Sequence, residues 1–448
     1  MKSRKMRRVT ARFVWDRLKV SFWFAPVVMS VIAILLSSLM LRLDGRIPNE
    51  TLENSRIILS GSVDQLRTVL LNLATTVLAT AGIVFTLLTL PLSTVAAQYG
   101  SRLLRVFLGD RITQYVLGMF VATFVYCLSA ATSIPPTTID PDGPQLTVTF
   151  GLLLTVGTFG SLILLVQHIS TMLQAPNIAA AAGNELLKVI LSEAPDEIES
   201  GNTISQANQG AADTLAGKDG FAIRVQKTGY IQYVDAEYAL TLLGERDLVI
   251  RLLCQPGDFV SQDTVTALVW PAARVDEQLD RQIRRAFQIG NQRTPTQDIE
   301  YGFNQLVEVA VRAMSPAIND PFTAMTCLDY IGKGLTLFVQ NGERSFVVYD
   351  QDGKLRVAFE PVTFDKLLNA SFDKLRHCSC DNASILQHML NVIDKIGLET
   401  KSPEMRQKLA CHVELIQAES NAGSLIEHDR QLIRRNGEAL QMKLKETL

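Results

Sequence analysis

This chain has no Asp, Glu, Lys or Arg at the centre of any of its four long apolar runs, Phe22–Leu41, Val69–Leu92, Ile112–Ser133 and Leu146–His168. Proton- and sodium-coupled pumps usually need a carboxylate at mid-membrane, so the absence argues against one. Cysteine is sparse: six residues, at 127, 254, 327, 378, 380 and 411, are too scattered for a disulfide framework. Reduced thiols are the default for those on the cytoplasmic side. There is no Gly-rich phosphate loop, no metalloprotease motif and no nucleophile elbow. No catalytic residue can be assigned, and the chain reads as a non-enzyme without a cofactor. A formal net charge of -2 leaves no bulk electrostatic case for nucleic-acid binding.

Charge and hydropathy are unevenly spread over the 448 residues, a length that suggests about three domains. Residues 1–21 form a basic cytoplasmic N-terminus, with Lys2, Arg4, Lys5, Arg7, Arg8, Arg12, Arg17 and Lys19 against Asp16. Residues 22–173 hold the four apolar runs, each long enough to cross a bilayer. The first lacks a small-residue cleavage site and continues into Leu41-Arg-Leu-Asp, so it reads as a retained span rather than a signal peptide. The loop after span two carries Arg102, Arg105 and Arg111, whereas Ile134 to Gln145 has no Lys or Arg. The loop from Arg42 to Leu66, with Arg42, Arg46 and Arg56, is indecisive. With an even number of spans, the positive-inside rule then puts both termini in the cytoplasm. Pro91 is expected to end or kink span two. Gln167 and His168, at the end of span four, are expected at the interface.

Span two has a stripe at helical spacing: Thr68, Asn72, Thr75, Ala79, Gly82, Thr86, Thr89 and Ser93. The commoner use of such a stripe is close packing between membrane helices. The sharper reading is a pore-facing wall, because weakly polar, uncharged surfaces suit passive permeation.

The remainder reads as a cytoplasmic α+β domain with a small β-module and a helical C-terminal part. Residues 174–220 are a juxtamembrane helix, Asn177 to Leu191, broken at Ala194-Pro and followed by a Gly/Ser/Asn/Gln-rich linker. Residues 221–273 alternate short strands and turns: 222–225, 229–234, 248–253 and 265–270, with a short helix over Ala236–Leu243. The turn Gln255-Pro-Gly-Asp-Phe-Val resembles, over a few residues, the turn of small β-barrel carrier modules, but no modifiable lysine occupies a hairpin tip.

Residues 274–345 form a helical motif region. Val275–Ile289 is expected to be helical, with Arg281, Arg284 and Arg285 on one side. A second helix, Ile299–Met314, takes Thr296 as N-cap and ends at Ser315-Pro316; a third starts with Asp320 as N-cap and Pro321 at its first position. Helix punctuation leaves Arg293, Gln297, Asp298, Arg312, Asn319 and Asp320 as a candidate polar network, ligand site or subunit contact.

Residues 346–361 read as a hairpin turning at Asp352-Gly353, and 362–448 as three or so amphipathic helices. His377-Cys378-Ser379-Cys380 offers three adjacent metal-binding groups where a structural site needs four.

Several of these segments resemble one family. Pro256-Gly-Asp-Phe-Val, Arg293-Thr with Gln297-Asp, and Ser315-Pro-Ala-Ile-Asn-Asp-Pro-Phe-Thr-Ala look like the signature of bacterial membrane proteins grouped as "domain of unknown function 2254". Ser21-Phe-Trp-Phe-Ala-Pro, Gln98-Tyr-Gly-Ser-Arg-Leu-Leu-Arg and Gly118-Met-Phe-Val-Ala-Thr-Phe-Val-Tyr resemble it too. The resemblance covers nearly the whole chain. It implies an inner-membrane protein and brings no activity, substrate or catalytic residue.

Two functions are then expected. The first is a homo-oligomeric, channel-like protein, partnered by the lipid bilayer and by itself, passing a small ion. The second is a membrane-anchored regulatory or scaffold protein whose cytoplasmic domain binds a protein partner or small ligand.

Overall fold

The computed structural model describes residues 23–46, 59, 61–99, 110–134, 144–172, 174–192, 219–341, 347–349, 354–358 and 362–446. The chain divides into two compact units, Met1–Asn177 and Ile178–Leu448. The basic N-terminus, the loop joining spans three and four, the Ala194-Pro break, the linker over 200–218 and the turn at Asp352-Gly353 lie outside the described residues.

The first unit contains four helices long and apolar enough to cross a membrane: α1 (Phe24–Asp44), α2 (Val63–Tyr99), α3 (Arg111–Ser133) and α4 (Gln145–Met172). α3 packs against all three others. It has the lowest mean hydropathy, 1.7 against 2.4 for α1, because much of its surface meets protein and can be polar or small. The close approaches fall at glycines. A Cβ on Gly118 would meet Met29 Sδ at 2.6 Å and Pro26 Cα at 3.3 Å; one on Gly151 would meet Leu70 Cδ2 at 3.1 Å.

Hydroxyl bonds cross the interfaces where hydrocarbon offers no water. Thr123 and Thr158 are 2.8 Å apart, Ser37 and Ser129 2.9 Å, and the Tyr126 hydroxyl donates to the Thr147 carbonyl at 3.0 Å. At one end Asp44, the last residue of α1, accepts from the Leu146 and Thr147 amides at 2.8 and 2.9 Å, and so caps α4. Pro91 does not end span two: the helix continues to Tyr99. A proline deletes one ladder bond, a loss that membrane helices tolerate when the freed carbonyl finds another partner.

The second unit begins with α5 (Ala175–Ser192), of which Ile178 onward belongs to it, and continues as two sheets and a helical bundle. The strands are β1 (Phe221–Arg224), β2 (Gly229–Val234), β3 (Val249–Leu252), β4 (Phe259–Val260), β5 (Val265–Trp270), β6 (Phe287–Gly290), β7 (Val347–Tyr349) and β8 (Leu355–Ala358). One sheet has the order β1-β5-β3-β8-β7, antiparallel except for the parallel pair β3–β8. The other has the antiparallel order β4-β2-β6. Helix α6 (Ala236–Arg246) links β2 to β3, and α7 (Glu277–Arg284) precedes β6. Ile223, Ile231, Leu243, Ile250, Val269, Leu279 and Val357 share one core.

Val275–Ile289 is therefore not one helix. Asp276 caps a short helix that stops at Arg284, and Phe287-Gln-Ile-Gly pairs as an edge strand with β2. Its Phe287, buried beside Ala286, belongs to the sheet core. The sheets thus draw strands from beyond residue 273: β6, and the hairpin β7–β8, which closes the edge of the larger sheet.

The bundle comprises α8 (Ile299–Ala313), α9 (Pro321–Asn341), α10 (Phe364–Cys378), α11 (Ala383–Glu399), α12 (Pro403–Ala422) and α13 (Glu427–Glu446). The C-terminal part holds four helices, α10–α13, where the sequence reading expected about three: Ser402-Pro403 separates α11 from α12, and Gly423 separates α12 from α13. α5 is keyed into α8 and α9 by glycine. Leu186, buried, sits in a notch where a Cβ on Gly302 would come within 2.8 Å and one on Gly334 within 3.0 Å. A Cβ on Gly183 would meet Tyr330 Cβ at 2.8 Å and its ring nearer still.

Gly183→Ala should destabilise the protein by about 1–3 kcal/mol through overpacking, although alanine is the better helix former by about 1 kcal/mol. Gly244→Ala in α6, where nothing lies within 4 Å, should instead stabilise it. Thermal unfolding of both variants in one detergent checks the pair; equal shifts would show that α5 is not seated as described.

Candidate functional site

The eight residues of the span-two stripe, Thr68, Asn72, Thr75, Ala79, Gly82, Thr86, Thr89 and Ser93, are all exposed on α2. The side of α2 that packs inward is the opposite one: Leu66, Leu70, Ala74, Val77, Val84 and Leu88 are buried. At about 100° per residue the two stripes are centred roughly 180° apart. The polar stripe is therefore not the packing face within one chain.

The threonines satisfy their hydroxyls on their own helix. Thr68, Thr75 and Thr86 donate to the carbonyls four residues back at 2.7, 2.9 and 3.1 Å, and Thr89 to the carbonyl of Thr86 at 3.0 Å. Asn72 differs: its side-chain amide has no partner among the described residues. A Cβ on Gly82 would meet nothing within 4 Å. The outward side of α2 also exposes Leu71, Leu78, Ile83, Phe85, Leu87 and Leu90 around the stripe; the outward faces of α1 and α4 are more uniformly aliphatic. They present Val27, Val31, Ile32, Leu35 and Leu39, and Leu153, Val156, Ile163 and Leu164, the surface that lipid chains accept.

The candidate network in the second unit divides in two. Arg293, Gln297 and Asp298 come together beside the β2–β6 edge. Arg293 grips Asp298 with two parallel bonds of 2.7 and 2.8 Å, and Asp298, 3% exposed, also accepts the Tyr301 amide at 2.9 Å. Asp298 is thus the N-cap of α8, the role expected of Thr296. It wins because its side chain is already fixed in place by the two bonds from Arg293; burial nonetheless pushes the Asp298 carboxyl above its ordinary range, against the pull of Arg293 and the Tyr301 amide.

Gln297 acts as a short length of strand: its Oε1 accepts from the Val234 amide at 2.9 Å and its Nε2 donates to the Val234 carbonyl at 3.3 Å. The Pro256-Gly-Asp turn closes over the pair. Gly257 has φ +100, and a Cβ there would run into the Asp298 carboxylate. Only glycine fits both the backbone angle and the space.

Two further charged residues, not singled out from the sequence, lie beside the pair. Glu300 lies 3.6 Å from Arg293 and 3.0 Å from Lys366 of α10. Burial alone would raise the Glu300 carboxyl, but Lys366 and Arg293 outweigh it and hold it below its ordinary range. Burial likewise works against the charged Arg293, yet Asp298 and Glu300 keep the guanidinium above its ordinary value. Glu300 stands two residues after Asp298, the one sequence signal for it; nothing in the sequence joins it to a lysine 66 positions on.

Arg312, Asn319 and Asp320 stand at the other end of α8, about 22 Å away at 1.5 Å per residue. Arg312 reaches Glu308 at 3.2 Å, one turn back on the same helix. Asn319 holds a left-handed φ of 49, and Asp320 caps α9 by accepting the Thr323 amide at 3.1 Å. These residues are turn and cap devices, separate from the Arg293 group.

Of the His377–Cys380 segment, His377 Nδ1 lies 2.8 Å from Glu419. His412 is buried with Nε2 on Asn369 at 2.9 Å. Among the described residues no group of three or more His, Cys, Asp or Glu is placed to hold a metal ion.

A family model, DUF2254, described as "Predicted membrane protein", matches residues 19–395. Two similar proteins are the uncharacterized protein Mb1321c of Mycobacterium bovis and the uncharacterized protein Rv1290c of Mycobacterium tuberculosis. Each is 24% identical over 387 residues, covering 84% of this chain and 72% of its own. No solved structure matches.

Removing one partner of a buried pair leaves an uncompensated charge, so Arg293→Ala should cost about 3–5 kcal/mol. A loss below 1 kcal/mol in denaturant unfolding would show that the pair does not hold the turn, the strand edge and α8 together. The Glu300 contribution is complete above the ordinary glutamate value of about 4.3 and is lost as pH falls through the lowered folded value. Lys366→Ala should therefore move the onset of acid unfolding to higher pH.

Proposed function

The chain belongs to the DUF2254 family of predicted membrane proteins, and we propose that it is a homo-oligomeric, channel-like protein of the bacterial inner membrane. Copies meet along α2, whose polar stripe borders a passive pathway for a small ion, and the second unit lies in the cytoplasm as gate or scaffold. One observation carries the reading: the stripe of small and hydroxyl residues on α2 faces away from its own bundle, set among exposed aliphatic residues of the same helix. A small, hydroxyl-bearing surface is a poor match for lipid chains and a good one for a like helix or for water.

The anchored regulatory reading keeps the second unit as a binding module. Its best candidate site, Arg293 with Asp298 and Gln297, spends its polar groups on the fold itself. The channel-like reading is therefore preferred.

The test is self-association in nanodiscs, followed by conductance. Wild type should run as an oligomer by native mass spectrometry. Asn72→Leu should weaken association roughly 5- to 30-fold, the equivalent of about 1–2 kcal/mol for an interhelical polar contact in a membrane. Thr75→Val and Thr86→Val should change conductance with less effect on assembly. A monomeric wild type that conducts nothing would overturn the reading and favour the anchored module.

A further inference from the structure

We propose that the turn between α8 and α9, led by Phe322, dips into the interfacial layer of the lipid bilayer that span four crosses. Phe322 is 78% exposed, more than any other large apolar side chain among the described residues. Pro316 and Ala317 of the same turn are exposed too. Between Arg312 and Asp329 the sequence has one charged residue, Asp320. Its carboxylate is spent on the Thr323 amide and hydroxyl.

The turn needs little water. Pro316 and Pro321 have no N–H to satisfy. The Ile318 and Asn319 amides donate to the Ser315 carbonyl at 3.1 and 2.8 Å, and the Asp320 amide to the Ala313 carbonyl at 2.8 Å. Backbone groups bonded within the turn add little cost when the turn leaves water.

The chain brings this turn within reach of the membrane. α5 and α9 run side by side in the same direction: Gly183 lies against Tyr330, and one turn later Leu186 lies against Gly334. Followed back along both helices, Ile178 is level with Met325, about one turn of α9 from Phe322. From Met172, the last residue of span four, the chain reaches Ile178 within about 20 Å at full extension. The second unit is therefore entered at the end that carries Phe322.

That end displays a second apolar side chain. α11 also runs parallel to α9, with Asp329 beside His388 and Gly332 against Val392, so α11 begins at the level of Phe322. There Gly423 lies against Cys380, and the Ser424 amide donates to Asp381. Ile426 follows, 66% exposed. The charges around it are mixed: Glu427 and Asp429 with His428 and Arg430, and Arg376 and His377 both on Glu419. Among the described residues no basic excess marks this end, so the contact is apolar insertion rather than attraction to anionic headgroups.

The inference rests on span four crossing the membrane, and on neither the pathway nor self-association. Its test is fluorescence quenching in phosphatidylcholine nanodiscs that contain lipid spin-labelled near the headgroup end of the acyl chain. A fluorophore is attached at Ala317→Cys in full-length protein with Cys254, Cys378, Cys380 and Cys411 replaced by serine; Cys127 and Cys327 are buried and stay. The control label is at Leu398→Cys, an exposed site about 25 Å further along the helices from Phe322. The Ala317 label should be quenched several-fold more strongly than the Leu398 label, at low and at high salt alike. Phe322→Asp should bring it down to the control level. That change leaves α9 intact, because an acid in the first turn suits the helix dipole. Phe322→Leu should keep the quenching. Equal quenching at the two sites, or quenching that Phe322→Asp leaves unchanged, would overturn the contact. So would an Ala317 label shielded from a water-soluble quencher yet untouched by the lipid one, a result that would assign the turn to a second copy of the chain.

Discussion

The seating of α3 among the other three spans is the constraint on which the membrane unit depends. Lipid chains are as apolar as leucine, so helices gain nothing by hiding leucine from them; they associate through close packing and hydrogen bonds. α3 supplies both, with Gly118 against the start of α1 and Thr123 against Thr158 of α4. Its interior is small and hydroxyl-rich, and it fills the space that a polar face of α2 would otherwise occupy. α2 consequently turns Leu66, Leu70, Val77 and Val84 inward, and its own hydroxyls are left outside. This is the reverse of a water-soluble bundle, and it follows from the solvent rather than from a fold preference.

The second unit depends on a different economy. A bidentate arginine–carboxylate pair at 3% exposure of the carboxylate is costly to desolvate, and it persists only if every remaining lone pair is used. Here one carboxylate takes a guanidinium and a helix N-terminus, and a glycine turn lies against it because no side chain would fit. The adjacent Gln297 finishes the β2 edge. Four segments distant in sequence, 234, 257, 293–298 and 366, are fixed by this one polar centre. Such a centre specifies a unique arrangement more than it adds stability.

Much of this was legible in the sequence. Four spans follow from run length and hydropathy, and β2 and β5 were bounded to the residue by their alternation and flanking turns. The Asp320-Pro321 cap was readable because proline at the first helical position needs no partner for its missing N–H. The failures have physical causes. Phe287-Gln-Ile-Gly is too short to show a period, and only its pairing with β2 makes it a strand. Thr296 and Asp298 are both good caps, and the choice was made by Arg293, five residues from one and three from the other. The stripe on α2 was visible as a stripe; the direction it faces was not, because direction is decided by the partners of the opposite side.

What gives that direction meaning is one amide. Threonine hydroxyls in a helix bond the carbonyl a turn back, so a stripe of threonines alone is a weak argument against lipid exposure. The side chain of Asn72 carries two donors and an acceptor, and it finds none of its bonds among the described residues. At about 1.5 Å per residue it lies some 14 Å into α2 from Val63, within hydrocarbon depth. An unpaired amide there is expensive, whereas a like amide or a water on the same face removes the cost. The energetic difference between α2 as an inert anchor and α2 as a contact or lining therefore rests chiefly on residue 72, with the small residues around it setting how closely a partner approaches.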